Sequence, residues 1–86
     1  MDAQAAFDML SLADELFEQM IAQQRTKVLK LGREAVPQLS SEDVLNPHDF
    51  PALDGHPSFH YEDGLLGGLL AAQMALRAEV NARFRA

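Results

Sequence analysis

Apolar residues recur at steps of three, four or seven along the first part of this chain, at Phe7, Leu10, Phe17, Ile21, Val28, Leu31 and Ala35. The same rhythm returns at Leu66, Leu69, Leu76 and Val80. That spacing places side chains on one face of an α-helix and is incompatible with the twofold alternation of a strand. Pro37 stops the first pattern, since proline lacks the backbone donor and disfavours helical geometry at Val36 before it. The predicted architecture is all-α: a helix over about 3–36, a Pro-rich connector over about 37–57 and a helix over about 58–84. Two amphipathic helices joined by a short connector fold back on each other as an antiparallel hairpin.

With 86 residues and no cysteine, the chain forms one domain, 1–86, without disulfides or thiolate metal sites. A net charge of −6 argues against nucleic-acid binding, which shows as a basic patch or stripe. It disfavours anionic membranes equally. The apolar run around Leu65 to Leu76 includes Gln73 and falls short of the ~20 residues that span a bilayer. The acidic opening Met1-Asp2-Ala3-Gln4 lacks the basic start of an export leader, so the expected location is the cytoplasm.

Polar residues interrupt both seams: Asp14 and Gln24 in the first, Gln73 and Arg83 in the second. A polar group in an apolar seam is costly without a partner. One register sets Gln24 against Gln73 and Asp14 against Arg83, with Val28 facing Leu69, Leu31 facing Leu66 and Phe17 facing Val80. Charge follows the antiparallel arrangement. Residues 1–24 hold Asp2, Asp8, Asp14, Glu15 and Glu18 and no Lys or Arg, whereas Arg77, Arg83 and Arg85 close the second helix.

Leu39, Val44, Leu45, Phe50, Leu53 and Phe59 make the connector too apolar for a free linker. It is expected to pack over Val28, Leu31 and Leu66, with a capped helical turn starting at Ser40 or Ser41 and ending at Asn46-Pro47. Ser58 is the expected cap of the second helix.

Two seams exceed what one hairpin requires. Ala6, Met9, Ala13, Leu16 and Met20 widen the apolar face of helix one, and Gly64, Gly68, Ala71, Ala75, Ala78 and Ala82 line helix two nearly opposite its main seam. Gly67-Gly68 inside a helix costs roughly 0.5–1 kcal/mol per residue against alanine, which suggests a packing reason. Helix one is also expected to overhang helix two, leaving Ala5, Ala6, Phe7, Met9 and Leu10 poorly covered. Ala6, Met9, Ala13, Leu16, Met20, Ala71, Ala75, Ala78 and Ala82 are therefore the expected partner-binding residues. A homodimer forming a four-helix bundle would cover them.

His48, Asp49, Asp54, His56, His60, Glu62 and Asp63 carry ligand types suited to zinc or iron, but no HExxH-type motif joins them. No metal and no cofactor is expected. Ser11, Ser40, Ser41 and Ser58 are accounted for as caps or helix surface, and Gly64-Leu65-Leu66-Gly67-Gly68 lacks the lysine of a phosphate loop. The expected function is a non-enzymatic, homo-oligomeric interaction module of the adaptor or small-chaperone type, with a protein partner possible. The alternatives are a metal- or small-ligand-binding connector and an acidic regulator that covers a basic partner.

Overall fold

In the computed structural model, which describes residues 1–85, the chain is an antiparallel helical hairpin with no strand among the described residues. Helix α1 spans Ala3–Ala35, α2 spans Pro51–Asp54 and α3 spans Pro57–Phe84, with 3₁₀ turns at Asp43–Leu45 and Pro47–Asp49 before α2. The molecule measures 50 × 19 × 18 Å, its long axis being the length of α1.

Local chemistry sets each boundary. Asp2 Oδ1 accepts from the Ala5 N–H at 2.7 Å and caps α1, while Val36 ends it with its N–H donated to the Gly32 carbonyl. In the connector, Ser40 Oγ accepts from the Asp43 N–H at 3.0 Å and Asp43 Oδ2 accepts from the Ser40 N–H at 3.1 Å. This reciprocal pair is the capped turn expected there, and Asn46 ends it. Pro47, Pro51 and Pro57 each open the next element, as suits a residue with φ fixed and no N–H to satisfy. The short α2 was not foreseen. Nor was the cap of α3: His56 Nδ1, not Ser58, accepts from the Phe59 N–H at 3.1 Å.

The connector plugs the end of the hairpin. Leu39, Leu53 and Phe59 are fully buried and cluster with Ile21, Val28, Val36 and Leu66. Gly32 makes this seat possible: a Cβ there would lie 2.6 Å from Leu39 Cδ2, and 3.6 Å from both Leu53 Cδ1 and Phe59 Cε2. Arg33 secures the strap from outside, its Nε donating to the Leu39 carbonyl at 2.8 Å. Leu45 departs from the expected pattern and stays exposed.

The register differs from the one the polar interruptions suggested. Asp14 meets Arg77, six residues before Arg83, with Arg77 Nε 3.0 Å from both Asp14 oxygens. That is a slide of about 9 Å at ~1.5 Å rise per residue. Gln24 and Gln73 do not meet: Gln24 Nε2 donates to the Glu62 carbonyl at 2.8 Å and to Glu62 Oε2 at 2.7 Å, and Gln73 Nε2 donates to Glu18 Oε1 at 2.8 Å. Each amide takes a carboxylate across the hairpin, a stronger acceptor than a second amide. The slide also removes the expected overhang. Arg85 reaches the start of α1 and lies 5.0 Å over the Phe7 ring, and Ala6 is buried.

Candidate interaction face

The buried cluster occupies only one end of the hairpin. Ile21, Val28, Val36, Leu39, Leu53, Phe59 and Leu66 all lie toward the plug. Along residues 1–20 of α1, Ala6 alone is buried, and Phe7, Leu10, Ala13, Asp14 and Phe17 are half-buried. Leu76, Val80 and Phe84 of α3 are half-buried there as well, and polar links cross the same half, Arg77 to Asp14 and Glu18, and Gln73 to Glu18.

On this thin half α1 presents large apolar side chains to solvent: Met9, Leu12, Leu16 and Met20 are 55%, 60%, 57% and 42% exposed. Their steps of three and four residues place them on one face, and a shallow depression of about 410 Å³ runs beside Met9, Leu12, Ala13 and Leu16. Of the residues expected to bind a partner, Met9, Leu16 and Met20 are exposed on this face and Ala13 is half-buried at its edge. Ala6 is corrected: it lies inside the hairpin, because α3 reaches further along α1 than expected. Leu12 was missed, although its spacing from Met9 and Leu16 signals it.

Ala71, Ala75, Ala78 and Ala82 are exposed on α3, but on the side turned away from α1, opposite Phe59, Leu66 and Gln73. They do not form one surface with the Met9–Met20 face. Gly64, Gly67 and Gly68 have nothing within 4 Å of an added Cβ, so no contact within the chain requires glycine there. Gly68→Ala is expected to raise stability by about 0.5–1 kcal/mol. A loss of stability in urea unfolding would show instead that a backbone approaches α3 closely at this point.

Two of the three histidines, His56 before α3 and His60 in its first turns, act as local fasteners. His56 Nδ1 caps α3, and His60 Nε2 hydrogen-bonds the Asp54 carbonyl. No group of three or more His, Asp or Glu able to hold a metal occurs among the described residues. Four of the five early acids are drawn into the chain as well: Asp2 caps α1, Asp8 accepts from Gln4, and Asp14 and Glu18 hold Arg77.

Glu62 joins the two helices near the plug, receiving Gln24 and lying 3.0 Å from Lys27 Nζ. The Gln24 hydrogen bond, then that of Lys27, holds its carboxyl below the ordinary value of 4.5, against the opposing effect of burial. The unfolded chain therefore takes up this proton at higher pH than the folded one. The stabilisation is full above about pH 4.5 and is lost as pH falls through the lower folded value. Glu62→Gln is expected to cost stability at neutral pH and to converge with the parent in acid. Urea midpoints measured from neutral to acid pH check this, and parallel curves would contradict it.

No family profile matches the chain, and no solved structure matches it. It is 39% identical over 75 residues to the bifunctional NAD(P)H-hydrate repair enzyme Nnr of Thermosynechococcus vestitus. The match takes in 83% of this chain and 15% of that enzyme. No helix among the described residues is long and apolar enough to cross a membrane.

Proposed function

We propose that this chain is a homo-oligomeric helical interaction module of the adaptor or small-chaperone type, whose Met9–Met20 face docks a second copy. The observation that carries this reading is the pairing of a thinly buried half of the hairpin with four large apolar side chains exposed on that same half. Contiguous exposed apolar surface on a small domain marks interaction sites. A second layer of helices would give the distal half the core that the plug gives the other end, producing a four-helix arrangement.

In this reading the present chain carries out no catalysis of its own.

Thermal unfolding followed over roughly a hundredfold range of protein concentration tests the proposal, because association of folded chains stabilises them by mass action and raises Tm as concentration rises. A Tm independent of concentration would count against it.

A further inference from the structure

Several positions on the exposed face of α1 match in character about a single midpoint. Met9 and Met20 are equidistant from the point between Asp14 and Glu15, and so are Ala13 and Leu16. Asp2 and Lys27 are equidistant from it too, and at about 100° per residue both fall on the Met9–Met20 side of the helix. The strip thus has apolar pairs at its centre and opposite charges at matched distances on either side.

An antiparallel twofold contact about this point, in which residue i meets residue j while j meets i, sets apolar against apolar at its centre and opposite charges against each other at its ends. From this we infer that, if the chain dimerises as proposed above, the two α1 helices pair antiparallel about the Asp14–Glu15 midpoint. Met9 then packs on the partner's Met20, Leu16 on the partner's Ala13, and Lys27 meets the partner's Asp2.

Two features of the hairpin fit the pairing. The overlap covers the thinly buried half of each copy, and the plugs, with their buried Leu39, Leu53 and Phe59, fall outside it at opposite ends. Lys27 is 59% exposed at its side chain although it bridges Glu62, so its ammonium remains open to a second carboxylate.

Cysteine cross-linking tests the register cleanly because the chain has no cysteine of its own. Met9→Cys and Met20→Cys change exposed positions and leave the hairpin core untouched. The two variants, one carrying a mass tag, are mixed, equilibrated, oxidised mildly and resolved by mass. The antiparallel register predicts a disulfide between unlike chains well in excess of links between like chains. Two Met9 positions would sit about 16 Å apart along the axis, beyond the ~4.4–6.8 Å Cα separation of a disulfide.

Like-chain links in excess would overturn the inference in favour of a parallel pair. Absence of links in a sample whose native mass is dimeric would place the contact on another face and overturn it too. A monomeric native mass would instead overturn the dimer reading on which it rests.

Discussion

Phe59→Ala is expected to destabilise the fold by about 3–5 kcal/mol, the usual cost of emptying a fully packed aromatic site. Phe59 is fully buried, faces Gly32 on α1 and belongs to the first turn of α3, so it ties three parts of the chain together. A chain of 86 residues has a total stability on the order of 4–13 kcal/mol, so this single change removes a large share of it. Urea unfolding should show a lowered midpoint with a similar slope, or no cooperative transition at all. A loss under about 1 kcal/mol would mean that the plug is not the core of the molecule.

Gly32→Val acts at the same place by the opposite route. The first added carbon falls 2.6 Å from Leu39 Cδ2, and Leu39, Leu53 and Phe59 are all without solvent exposure into which to retreat. Overpacking of this kind costs about 1–3 kcal/mol, and the branching of valine places it at the upper end. Gly32→Ala should lose less, because alanine recovers about 1 kcal/mol of helix propensity. The contrast with Gly68→Ala is instructive: the same exchange is expected to stabilise one helix where nothing packs and to strain the other where the plug sits. A Gly32→Val chain as stable as the parent would show that the connector does not rest on α1.

Signals carried by neighbouring residues were legible in the sequence. The ends of both long helices were readable to within a residue or so, because Pro37, Pro57 and the apolar rhythm act locally. The Ser40–Asp43 turn was readable for the same reason. The register was not, since it depends on which distant polar groups meet. The choice of Gln73 as the partner of Gln24 ignored that Glu18 and Glu62, flanking the apolar seam, reach across it with longer and charged side chains.

That error carried into the interaction face. An offset of six residues decided whether Ala6 lay bare or buried, and the sequence pattern gave no independent measure of it. Tracing the second seam through Ala13 rather than Leu12 overlooked a larger exposed side chain. The cap at His56 was missed because imidazole caps are uncommon beside those of serine.

Sedimentation equilibrium on the unsubstituted chain and on Leu16→Glu tests dimerisation through α1 most directly. Leu16 is exposed in the single hairpin, so its replacement should preserve helicity while placing a charge at the centre of the proposed contact. The expected result is twice the 9.5 kDa chain mass for the parent and the single-chain mass for a Leu16→Glu variant of undiminished helicity. A parent that sediments as one chain, or a dimer that Leu16→Glu leaves intact, would contradict it.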